Sequence, residues 1–285
     1  MPFTPREDSE VAAANASDRP PVLFIHGLWL LANSWDPWRR LFENAGFATL
    51  APGWPDDPET VSDARAHPEV FAGKSVGQVT DHFADVIKRL NHKPIIVGHS
   101  FGGIVTQKLA GQGLAAGSVA INAAPFRGVL ALPISALKAA LPVLRNPANR
   151  RRSVALTFEQ FRYAFVNTVS EAEAHQIYDD YPVAGSGIPL FQAAFANVNP
   201  STEMRVDTRN PDRGPLLLLT SDKDNTAPKA IAKGSLNRYK KQAASTELIE
   251  MKDRGHSLII DSGWREVADV ALDFLGRHNL SPQRA

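Results

Sequence analysis

The strongest constraint on the fold is the way short apolar runs alternate with helical patterns. Five runs are bounded by turn residues: Val22–Ile25, Ala48–Ala51, Pro94–Val97, Ser118–Asn122 and Pro215–Thr220. A sixth, Thr246–Met251, is weaker and partly charged. Unbroken apolar runs of this length suit strands buried on both faces of a parallel sheet. Between them, apolar residues recur at helical spacing: Trp35, Trp38, Leu41, Phe42 and Ala45 after Ser34, then Val76, Val79, Phe83, Val86, Ile87 and Leu90. Ser75 followed by Gln78 is a capping box for that second helix. Gly103–Ala110 and Trp264–Leu275 are the other two helical patterns. Strand–helix alternation predicts βαβ units, hence an α/β fold with a mostly parallel sheet flanked by helices.

The alternation stops between Phe126 and Gly214. A structureless loop of that length is improbable, and Leu130–Leu144 and Phe158–Asp180 have helical apolar spacing. Residues 126–214 are therefore expected to form a helical cap inserted over the sheet, with the α/β core made by 21–125 and 215–280. Residues 1–20 read as a polar N-terminal tail. The 285 residues carry 31 Lys plus Arg against 30 Asp plus Glu, a net charge of +1. That balance argues against a nucleic-acid partner. The chain has no cysteine, which excludes a disulfide framework, a cysteine nucleophile and a thiolate metal site, and suits the cytoplasm. No His/Asp spacing suggests a metal site, and neither a signal peptide nor a membrane span is expected.

Chemistry concentrates at Gly98-His99-Ser100-Phe101-Gly102-Gly103, where a strand turns sharply into a helix. Gly-x-Ser-x-Gly at such a junction is a nucleophile elbow, which lifts a serine hydroxyl above the sheet beside a helix N-terminus. A phosphate loop does not fit, because no Gly-Lys-Ser/Thr follows. Taken with His26-Gly27, Asp224 and Gly255-His256 in the order Ser, acid, His, the segment resembles the α/β-hydrolase superfamily from Pro21 to about His278. In one respect it departs from that pattern: only about twenty polar residues precede Val22, so the two initial antiparallel strands are expected to be missing or irregular.

Serine needs a base to take its proton. His256 lies in the loop just after the last strand, at the carboxyl edge that also carries Ser100, and Gly255 is expected to permit the turn that aims its ring. His67, His82, His92 and His278 read as solvated side chains, while His26 and His99 take scaffold roles by resemblance. His175, in the cap, is a candidate substrate contact. Asp222 and Asp224 both follow a buried strand and could orient the imidazole. The superfamily pattern of acid, two residues, small apolar residue and proline is matched by Asp224, Ala227 and Pro228, and favours Asp224.

An acyl-transfer oxyanion needs two N–H donors. The elbow implies the amide of Phe101, and the resemblance implies that of Leu28, with Trp29 as a pocket wall. The apolar cap residues Val129–Leu144 imply a small-molecule substrate with an apolar group, while Arg145, Arg150, Arg151 and Arg152 read as a solvated basic face. The expected activity is cofactor-free hydrolysis of a carboxylic ester or lactone through an acyl-enzyme. The same triad also serves perhydrolase (haloperoxidase-like), hydroxynitrile lyase and carbon–carbon bond hydrolase chemistry, a lyase drawing on a cap lysine such as Lys138. A non-enzymatic ligand receptor would have no need of all three residues.

Overall fold

A computed structural model describes residues 3–239 and 244–282. Its main sheet has six parallel strands: β1 Pro21–Ile25, β2 Ala48–Leu50, β3 Ile95–His99, β4 Gly117–Ile121, β5 Leu216–Ser221 and β6 Thr246–Met251. Their order is β2-β1-β3-β4-β5-β6, and one row of the register runs Phe24, Val97, Val119, Leu217, Glu247. Every residue of β1, β3, β4 and β5 is buried. Strands covered on both faces have no polar side to alternate with, which is why they read as continuous apolar runs. In β6, an edge strand, only Met251 is buried, which accounts for its charged, weak pattern.

Helices α1 Pro5–Asn15, α2 Asp36–Asn44, α3 Val61–Ala66, α4 Val76–Lys88 and α5 Phe101–Gly111 alternate with the first strands. The Trp35, Trp38 and Phe42 spacing places three rings against Phe24 of β1, with centroids 5.1, 6.4 and 5.4 Å away. Trp38 donates its indole N–H to the Ile259 carbonyl at 3.0 Å. The Ser75–Gln78 capping box forms as expected and starts α4.

The reading of residues 1–20 as a polar tail is corrected by α1. Thr4 and Glu7 cap each other reciprocally, with Pro5 in the first turn. The helix lies beside β2, the edge strand, where Arg6 donates to the Ala51 carbonyl at 2.9 Å and Glu10 accepts from the Ala51 amide at 2.9 Å. Polar side chains thus satisfy a strand end that would otherwise be open. His82 is likewise not solvated: it is buried and meets the buried Glu7 carboxylate at 2.8 Å. Burial alone would raise the Glu7 carboxyl, but the hydrogen bonds from His82 and Thr4 outweigh it and hold it below the usual range. Among the described residues no antiparallel strand precedes β1.

Between β4 and β5 come α6 Ile134–Leu144, α7 Phe158–Ala164, α8 Glu171–Asp180 and α9 Ile188–Phe195. A 3-10 turn spans Pro147–Arg151, and Ser153–Val154 pairs antiparallel with Gly185–Ser186. The single helical stretch expected over Phe158–Asp180 is two helices, the second opened by Ser170, whose hydroxyl accepts from the Glu173 amide. α10 Lys229–Tyr239 follows β5, and α11 Trp264–Arg277 follows β6. No helix of the described residues is long and apolar enough to cross a membrane.

Candidate active site

Ser100 stands between the last residue of β3 and the first of α5, at φ 56° and ψ −120°. A non-glycine residue there is strained by about 1–3 kcal/mol. Three backbone hydrogen bonds of 3.0 Å hold it: its amide donates to Ile121, and its carbonyl accepts from Gly103 and Ala124. The flanking glycines are required by space. A Cβ on Gly98 would lie 2.2 Å from Thr106 Oγ1, and one on Gly102 would lie 2.1 Å from the Ile25 carbonyl oxygen. On Gly27 it would come within 2.7 Å of Ser100 Cβ. The loop after β1 therefore packs directly against the elbow.

His256 is fully buried in the loop after β6. Its Nδ1 is 2.7 Å from Asp224 Oδ2, and the other carboxylate oxygen accepts from the amides of Thr226 at 2.6 Å and Ala227 at 2.9 Å. Two backbone donors thus fix the carboxylate so that one oxygen faces the imidazole. Asp222 does not reach the ring; it is half-buried, and its amide donates to Met251. The backbone of the His256 loop is held from below, where His99 Nε2 donates to the His256 carbonyl at 2.9 Å. Burial, and secondarily the nearby His256, push the His99 imidazole well below the ordinary histidine pKa, so it is neutral. Arg254 pairs with Asp261, whose other oxygen accepts from Ser257 at 2.9 Å, closing the loop on itself.

Gly255 serves for clearance and not for a left-handed turn. The positive φ in this loop falls on Asp253, at 54°. A Cβ on Gly255 would lie 2.7 Å from Asn167 Oδ1 and 3.0 Å from Thr168 Oγ1, so the segment between β4 and β5 presses on the loop at that point. Phe165 from the same segment sets its ring edge-on to His256, 4.7 Å between centroids. No sequence pattern singled it out, since nothing local distinguishes it from other buried aromatics. His256 Nε2 is buried without a hydrogen-bond partner among the described residues, so no hydrogen bond joins it to Ser100.

A cavity of about 810 Å³, counting its open mouth, has Ser100 in its wall. Trp29, Phe101 and Ala124 border it on the sheet side; Ala136, Ala140 and Leu144 of α6 and Leu190 and Ala193 of α9 border it opposite. The polar side chains bordering it are Ser100, Thr226 and the indole of Trp29. That indole is already used, donating to the Val154 carbonyl at 2.9 Å, and Trp29 itself holds φ 66°. Leu28 is buried in the loop beside it. Among the described residues, neither the Leu28 amide nor the Phe101 amide has a protein acceptor. His175 is not brought to this group. On α8 its side chain is 56% exposed, stacked on Phe158 at 3.9 Å and 3.4 Å from Glu171, its neighbour one turn back. Lys138 is also absent from the cavity lining; its ammonium lies over the Tyr163 ring, 4.1 Å from the centroid.

Solved structures with this fold include a monoacylglycerol lipase from Paleococcus ferrophilus, 20% identical, covering 91% of this chain and 96% of that one at a TM-score of 0.62. An extracellular α/β-hydrolase from a Paenibacillus species is 20% identical, covering 89% and 98% at 0.61. A pyrethroid hydrolase from Sphingobium faniae JZ-2 is 18% identical, covering 90% and 97% at 0.60. At these identities the likeness speaks for the fold alone. No curated protein matches the sequence. The model of the alpha/beta hydrolase family matches residues 22–270, from the first strand into the last helix. The chain therefore belongs to the α/β-hydrolase family of enzymes.

Proposed function

We propose that the protein is a serine hydrolase of carboxylic esters, lactones included, whose acyl or alcohol part is apolar. The observation that carries this reading is the buried His256–Asp224 pair at 2.7 Å, its carboxylate held by the amides of Thr226 and Ala227, two residues that border the same apolar cavity as Ser100. Asp224 fixes the tautomer with hydrogen on Nδ1, which leaves the Nε2 lone pair to take the Ser100 proton. The Ser100 oxygen attacks the ester carbonyl, and the oxyanion is received by the amides of Leu28 and Phe101, each donor contributing about 3 kcal/mol to transition-state stabilisation. His256 then gives its proton to the leaving alcohol oxygen. Water, deprotonated by the same nitrogen, hydrolyses the acyl-enzyme and restores Ser100. The segment 126–214 acts as a cap, with α6 and α9 supplying the apolar wall, and Trp29 shapes the sheet side of the pocket.

Lys138, the lysine named for the lyase alternative, lies over the Tyr163 ring and does not border the cavity. A panel of p-nitrophenyl esters with rising acyl length, several lactones and a peracid assay tests the reading. Ester turnover that improves as the acyl chain grows is expected. Peracid formation without ester turnover would contradict it.

A further inference from the structure

The large apolar side chains that stand most exposed are gathered in one part of the chain. Leu130, Leu132, Ile134, Leu137 and Leu141 lie on or just before α6, and Phe195 and Val198 at the end of α9. Ile134 is 84% exposed and Val198 77%. α6 and α9 pack on each other, and the 3-10 turn Pro147–Arg151 packs on both. The same two helices wall the cavity, and Leu132 and Leu137 belong both to its lining and to the exposed set. The apolar surface is therefore continuous with the mouth of the pocket. An exposed patch of this kind signals an interaction surface.

Charge indicates the partner. No Asp or Glu occurs between Asp85 and Glu159. Arg145, Arg150, Arg151 and Arg152, all exposed, follow α6 directly and pair with no carboxylate among the described residues. The backbone ties this basic turn to the start of α9, since the Gly187 amide donates to the Arg152 carbonyl at 3.0 Å. A second copy packed through this same face would set these unpaired arginines against their own like charges. Apolar side chains bordered by arginines match an anionic lipid surface, whose acyl region takes the leucines while its phosphates face the guanidinium groups.

We propose that α6, the end of α9 and the intervening basic turn dock on an anionic lipid surface, so that the cavity opens toward the lipid phase. Ester substrate dissolved in that phase would enter without crossing water; this last point rests on the ester-hydrolase reading, whereas the docking itself does not.

Vesicle flotation tests the docking, with vesicles of phosphatidylcholine alone and of phosphatidylcholine with phosphatidylglycerol. The full chain should float with the anionic vesicles and much less with the neutral ones. Ile134→Ser with Leu141→Ser, neither residue bordering the cavity, should weaken binding about 100-fold. Arg150→Gln with Arg151→Gln should weaken it about 30-fold on anionic vesicles only. Both double variants should keep wild-type turnover of p-nitrophenyl acetate, and Ser100→Ala should still float. Failure to float with either vesicle, or variants that float like the wild type, would overturn the proposal. So would a concentration-dependent dimer, abolished by Ile134→Ser with Leu141→Ser, in a chain that ignores vesicles. Flotation without turnover of any ester would support the docking and refute the ester-hydrolase reading alone.

Discussion

Ser100→Ala is expected to lower kcat/KM on a short-chain ester by about 10⁴-fold or more, with the fold retained. The substitution removes only the hydroxyl, and the three backbone hydrogen bonds that hold position 100 do not involve it. A thermal midpoint close to wild type would show that the loss is chemical. His256→Gln should cost a comparable factor, glutamine being preferred to alanine because it leaves the buried Asp224 a polar partner. The two residues act as a unit, so the double variant should be little worse than either single one. Full additivity of the two losses, measured as a double-mutant cycle in kcat/KM, would mean that His256 does not act through Ser100.

Asp224→Asn should be nearly as damaging, at about 10³–10⁴-fold, and the reason is directional. Asp224 Oδ1 accepts two backbone amides, from Thr226 and Ala227. An asparagine there keeps its carbonyl oxygen toward those donors and turns its NH₂ toward His256. The imidazole must then accept at Nδ1 and carry its proton on Nε2, the nitrogen that should be empty. Asp222→Asn should change kcat/KM by no more than about twofold, since Asp222 does not meet the ring. Steady-state kinetics of the two variants decides between the carboxylates, and a reversed ranking would contradict the assignment of Asp224.

Much of the scaffold was legible because parallel strands buried on both faces leave unbroken apolar runs, and because the elbow demands glycines that no other arrangement there would require. Ser100 was singled out by the Gly98-x-Ser100-x-Gly102 motif at a strand–helix junction, and His256 by its place in the loop after the last strand. The choice between Asp222 and Asp224 was not decided by the strand, because a carboxylate two residues nearer β5 looks the same in sequence. The Ala227-Pro228 pattern favoured Asp224, and in the structure it is Asp224 that accepts the amides of Thr226 and Ala227 and meets His256.

Other features were hidden for different reasons. α1 was obscured by its polarity, since it docks through Glu7, Arg6 and Glu10 as well as Val11 and Ala14, so no apolar stripe announces it. Its Thr4-to-Glu7 capping box was the available signal. His82 passed for a surface residue because its partner lies 75 positions away. At Gly255 the physical cause differs from the one expected: clearance from the segment between β4 and β5 and not backbone freedom. Phe165 and the outward placement of His175 depend on how that segment folds back, and neither leaves a local pattern.

In the proposed mechanism Ser100 is the nucleophile, His256 takes its proton and Asp224 orients the imidazole. The most direct measurement is intact-protein mass spectrometry after treatment with a fluorophosphonate, followed by peptide mapping. One adduct per chain, on the peptide containing Ser100, is predicted, absent in Ser100→Ala and slowed strongly in His256→Gln and Asp224→Asn. An adduct on another residue, or ester turnover that persists in Ser100→Ala, would contradict the account.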